Sequence, residues 1–167
     1  MGPSEGLVRC ETRIVNLDSA HDVRIREGRL ALAWRVQVNR DGLELWDPVL
    51  ASSFPLASEF VAHLLAAWGL PPSPSLGPLL SEEAFLDTLV ARNPTLRAAT
   101  LALRVRTFEL DGVRVSHSTG KAGHLPIQSL HLTHEDPDLL FQILQKTGLS
   151  KYPNTNFPQG LKQALAL

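Results

Sequence analysis

The 167-residue chain holds one cysteine, Cys10, one methionine and one tyrosine. A lone thiol excludes an internal disulfide and suits a reducing compartment. Nowhere do about 18 apolar residues run together, as a membrane-spanning helix requires. The opening MGPSEGLVRCE lacks the basic-then-apolar profile of a secretory signal. The expected setting is therefore the cytoplasm, with no membrane partner. Net charge is only −1, so no global basic field marks a partner such as duplex nucleic acid. Neither a G-x-x-x-x-G-K phosphate loop nor a G-x-S-x-G nucleophile turn is present. Of the late histidines, His117, His124, His131 and His134, no pair has the i, i+4 helical spacing of a zinc protease.

What is present is a chain of 44% hydrophobic content, enough for one domain with a real core over 1–167, residues 1–6 being expected as a disordered start. Strict alternation predicts strands over 7–15, 21–26, 29–38, 100–118 and 127–134, with GLELWDPV adding a short one. Glu27-Gly28 and Asp111-Gly112 supply the tight turns of two hairpins. Apolar residues three and four apart predict helices in PLASEFVAHLLAAWGL, in SEEAFLDTLVARNP behind a Ser81 cap, and in EDPDLLFQILQKTGL behind an Asp136 cap. A last short helix runs through PQGLKQALAL, and PPSPSLGP is a proline-rich loop. Strands, two helices, then strands and two more helices describe an α+β domain. The expected architecture is a curved antiparallel sheet, or a partly open β-barrel tunnel, flanked by about four helices.

The strands share a second pattern. Arg9, Glu11 and Arg13 fall on one side of the first strand, Arg24 and Arg26 on one side of the second, and Arg104 and Arg106 on one side of a later one. Arg114 shares its side with Ser116 and Ser118. The opposite sides carry Val8/Cys10, Val23/Ile25, Leu30/Leu32/Trp34, Leu103/Val105 and Val113/Val115, which suit packing against the helices; Cys10 reads as core. One reading of the arginine sides is a solvated face with cross-strand ion pairs. The other is a concave face that holds a polyanion, since the planar guanidinium makes bidentate bonds to phosphate oxygens.

The order of several segments resembles the CYTH superfamily of triphosphate-tunnel proteins. The run VRIREGRLALA stands where that family has a hairpin like VKIRDGLLDIK. WDPVLASSFPL resembles its W-x-P-V-L-x-x-x-F-P-L segment, and EDPDLLFQILQKTGLSKYPNTNFPQGLK its EDP…GL…NTSYPRGLK ending. The resemblance implies a tunnel that binds a triphosphate or polyphosphate-type small molecule with Mg2+ or Mn2+, and divalent-metal-dependent triphosphate hydrolysis if the site is active. Carried onto this chain, Arg9, Arg13, Arg24, Arg26, Arg35, Arg104, Arg106 and Arg114 become substrate-binding candidates. Glu11 becomes the catalytic and metal candidate, with Glu109 as a second metal ligand and Glu44 and Asp47 as further carboxylates.

The departures are equally specific. The family's E-x-E-x-K near the N-terminus is here Arg9-x-Glu11-x-Arg13, which keeps only the middle acid. A lysine expected in the second hairpin strand falls at or near Ala33, with Arg35 two residues on, and an acid expected late in the last strand falls at Thr133. The acidic, metal-binding half is thus thinned while the cationic half remains. The alternative reading is a catalytically degenerate domain of this kind, retained as a protein-interaction or scaffolding module with a protein partner.

Overall fold

The computed structural model describes residues 6–72 and 77–167. The expected disordered start therefore lies, apart from Gly6, outside the described residues, as does the middle of the proline-rich loop. Among the described residues nine strands are present: β1 (Leu7–Asn16), β2 (Asp22–Arg26), β3 (Arg29–Val38), β4 (Glu44–Ser53), β5 (Leu56–Ala57), β6 (Leu79–Leu80), β7 (Leu96–Leu110), β8 (Val113–Ala122) and β9 (Leu125–Thr133). Seven form one antiparallel sheet in the order β4-β3-β2-β1-β7-β8-β9, and β5 pairs with β6 alone. The sheet is not closed: β4 and β9 are its free edges.

Two hairpins turn where two-residue loops demand left-handed backbone. Glu27 and Gly28 have φ of 51° and 68°, and Asp111 and Gly112 have 47° and 87°, the pattern of a type I′ turn. All of GLELWDPV but Gly42 and Leu43 belongs to a full ten-residue strand, β4, not a short one. Register shifts near Leu32/Ala33 and Arg35/Gln37 break its pairing with β3, so its apolar positions do not alternate in the sequence.

Helix α1 (Ser58–Ala67) follows β5. Helix α2 begins at Glu82 under the expected Ser81 cap, whose hydroxyl accepts from Ala84 N at 3.2 Å. It then widens into a π-helix over Phe85–Val90. There Thr88 Oγ1 donates to the Ala84 carbonyl, the acceptor that a regular α-helical turn would give to the Thr88 N–H. Helix α3 (Pro137–Lys146) starts at Asp136, whose carboxylate accepts from Asp138 N and Leu139 N. Helix α4 (Phe157–Leu165) starts at Asn156, which accepts from Gln159 N. No helix of the described residues is long and apolar enough to cross a membrane.

Residues directly opposite each other on paired strands share a face, so the register sorts every side chain. One face carries Ile14, Val23, Ile25, Leu30 and Leu32, buried against Val61, Leu64 and Phe85 of α1 and α2. Farther along the same face, Val113 and Val115 pack on Ile143 of α3. This is the outer face. The other face buries Val15, Ala99, Leu101, Leu103, Val105 and Ala122 with Leu161 of α4. This is the inner face. Each fully buried aliphatic side chain contributes roughly 1.5–3 kcal/mol, so both faces are needed to hold the sheet. At Gly120, opposite Leu103, β7 and β8 approach so closely that a Cβ would lie 1.9 Å from the Ala102 carbonyl oxygen.

Candidate functional site

The register divides the sequence-predicted arginines between the two faces. Arg13 lies opposite Arg24, and Arg26 opposite Arg29, so these four share the inner face with Arg9, Glu11 and Asp22. Arg104 lies opposite Val8, and its face mate Arg106 opposite His117. Both are exposed on the outer face. The apolar flank of β7, Leu103 and Val105, faces inward, whereas that of β2, Val23 and Ile25, faces outward. The tunnel arrangement implied by the resemblance therefore does not gather Arg104 and Arg106 with Arg24 and Arg26. Cys10 is likewise exposed on the outer face and not part of the core.

Arg13 organises the inner face. Its Nε donates to Glu11 Oε1 at 2.7 Å, its Nη1 donates to Asp22 Oδ1, and its guanidinium lies 4.6 Å from the centre of the Phe157 ring of α4. The Arg13 side chain is 11% exposed and that of Glu11 5%. Burial alone disfavours the charged guanidinium, but the two carboxylates outweigh it and raise the Arg13 pKa. Glu11 and Asp22 are thereby both committed to one cation.

Arg24, Arg26 and Arg29 have no such partner. None makes an ion pair among the described residues, and Arg26 and Arg29 are directly opposed across the turn. Like charges facing each other across strands are destabilising. Beside them is a concavity of about 420 Å³ lined by Asp22, Arg24, Arg29, Ala31, Ala33 and Ala51. Leu32, Pro48, Val49 and Leu50 complete its lining.

His131 enters from the far side. It lies on β9 opposite Ser116, with inner-face parity, four strand spacings from β2. On a flat sheet that separation is about 19 Å. Yet Val15 of β1 and Ile127 of β9 pack in one cluster with Leu161 and Phe157 of α4, so the sheet curls around that helix, and the His131 imidazole is influenced by Asp22, Arg13 and Arg24. His131 keeps an exposed edge, but the surrounding protein desolvates it and lowers its pKa. Asp22 partly opposes that shift, and Arg13 and Arg24 add to it.

The remaining candidates lie apart. Arg35 donates to Glu44 Oε1 at 2.7 Å; the same carboxylate accepts from Trp46 Nε1 and Asn156 Nδ2, each at 3.0 Å. Glu44 thus ties β3, β4 and the start of α4 together, and is occupied. Arg114 is exposed near the β7–β8 turn, opposite Glu109 and Thr133. Glu109 lies eight residues along β7 from Leu101, the partner of Glu11. That is about 27 Å at the rise of a strand, so Glu11 and Glu109 are not brought to one ion. Among the described residues, no group of three His, Cys, Asp or Glu side chains is placed to hold a metal.

Arg29 and Asp22 belong to this site without having been singled out in the sequence. For Arg29 the signal is there: a two-residue turn at Glu27-Gly28 sets residue 26 against residue 29. No family model matches the chain. No curated protein and no solved structure matches it.

Proposed function

We propose that the protein binds a phosphate-rich anion of the triphosphate or polyphosphate type on the inner face of its curled sheet, in the manner of an open tunnel. The observation that carries this reading is the clustering of Arg24, Arg26 and Arg29 on one face, with no carboxylate partner among the described residues, beside a concavity that Arg24 and Arg29 line. A phosphate chain offers several oxygens, and each guanidinium can engage two of them. Bound there, it removes the repulsion between Arg26 and Arg29. Arg9 extends the basic surface along β1, Arg13 forms its neutralised base, and His131 faces it from the opposite wing. The resemblance of VRIREGRLALA to a triphosphate-tunnel hairpin supports the same ligand class.

The reading is one of binding and not of turnover. Mg2+ is usually held by one or two carboxylates together with substrate phosphates. Here the nearest two, Glu11 and Asp22, are both engaged by Arg13. Mg2+ or Mn2+ accordingly reaches this face as a companion of the phosphates, with no protein-built site of its own.

The test is thermal unfolding with tripolyphosphate, with and without Mg2+. At 100 times the dissociation constant a ligand adds about 2.7 kcal/mol. The stabilisation is expected in the native chain, to disappear in Arg24→Ala/Arg29→Ala, and to persist in Arg104→Ala/Arg106→Ala. No stabilisation by the anion, or equal loss in both double variants, overturns the reading and leaves the interaction module.

A further inference from the structure

The two free edges of the sheet are built differently. β4 carries Glu44 and Asp47, has Pro48 near its middle, and departs twice from regular pairing with β3. Charge, proline and irregularity are the means by which edge strands avoid pairing with other chains. β9, LPIQSLHLT, has none of these except Pro126 near one end. It contains no Asp, Glu, Lys or Arg, and it keeps unbroken register with β8 over nine residue pairs. No described residue outside β8 hydrogen-bonds its backbone, so its outer row of N–H and C=O groups is unpaired. Leu130, 46% exposed, projects from the middle of this strand.

A row of unpaired backbone groups is completed by another strand, and the side chains of β9 select which one. We propose that β9 pairs antiparallel with β9 of a second copy of this chain, about a two-fold axis through Ser129. In that register Gln128 faces Leu130 of the second copy, Ile127 faces His131, and Leu125 faces Thr133. No charge opposes a like charge, and the two exposed Leu130 side chains become diagonal neighbours across the axis, within reach of each other. An interface in which the same patch serves both partners is the usual form of a two-fold dimer. A strand with no charge of its own gives a charged foreign peptide nothing to pair with. The same operation on β4 would set Pro48 near the axis, where it cannot donate, and would fail.

The test is sedimentation over a range of concentrations, with a cross-link to locate the contact. The expected species has twice the 18.3 kDa of one chain. Leu130→Lys should weaken association at least tenfold, whereas Leu45→Lys, at an exposed residue of β4, should leave it unchanged. In a Cys10→Ser background, Ser129→Cys should oxidise to a covalent dimer, since directly opposed strand residues lie within disulfide reach. The proposal stands only if Leu130→Lys dissociates the dimer and Ser129→Cys locks it. A monomer at every concentration, or a dimer that fails either criterion, overturns it.

Discussion

β2 and β7 belong to the same sheet and carry the same kind of sequence, arginines alternating with aliphatic residues, yet they are inverted. In β2 the aliphatic Val23 and Ile25 face out to α1 and α2, and the arginines face in. In β7 the aliphatic Leu101, Leu103 and Val105 face in towards α4, and Arg104 and Arg106 face out. Alternation tells which residues share a face but not which face is covered. The cover changes sides between the two strands, because α1 and α2 lie outside the β1–β4 wing while α4 lies within the curl. The inner face therefore carries arginines along β1 and β2 in one half and aliphatic residues along β7 in the other.

The comparison breaks most severely at Arg13, which sits where the halves meet. Arg13→Ala leaves Glu11 and Asp22 without their cation and removes the contact with Phe157, a loss of about 3–5 kcal/mol by analogy with other broken buried pairs. Urea denaturation would show it as a lowered midpoint. Survival of the native midpoint would mean that the ion cluster does not join the halves. Leu101→Ala, in the apolar half, should cost about 2–5 kcal/mol through the cavity it leaves. The same change at Ala31, which already lacks bulk, is not available, and that asymmetry is the point.

A smaller effect is expected with pH. His131 and His21 both have pKa values lowered from 6.5 by desolvation. As pH falls through 6.5 the unfolded chain therefore takes up protons before the folded one, and stability should decline, by no more than about 1.4 kcal/mol per pH unit for each group. His131→Asn should flatten this slope. A bound tripolyphosphate should also flatten it, because an anion beside His131 favours the imidazolium. An unchanged slope in the variant would show that His131 does not carry this pH dependence. Smallest of all, Arg104→Ala/Arg106→Ala should shift stability within about 0.5 kcal/mol, as exposed surface substitutions do.

Much of the fold was legible because it depends on local chemistry. The Glu27-Gly28 and Asp111-Gly112 turns, and the Ser81 and Asp136 caps, act over four residues and can be read directly. What was not legible depends on distant partners. Whether Cys10 is core or surface is decided by where α1 and α2 lie, and neither is near it in sequence. The length of β4 was hidden by its irregular pairing, and the π-helix over Phe85–Val90 carries no mark in the apolar spacing. At the site, the sharing of a face by Arg24 and Arg26 follows from period two alone, while their separation from Arg104 and Arg106 needs the register through β1 and β7.

Helix α4 is fastened by residues remote in the chain. Asn156 reaches Glu44, 112 positions away, and Lys162 donates to the carbonyls of Leu17 and Ser19, 145 and 143 positions away. Closing such long loops costs chain entropy before any contact rewards it, and it slows folding. Until α4 docks, Leu101, Leu103 and Val105 lack the helix that covers them on the inner face. In that interval, with β9 unguarded as well, the chain is at its most prone to aggregate, and the speed with which one nine-residue helix docks sets how long the exposure lasts.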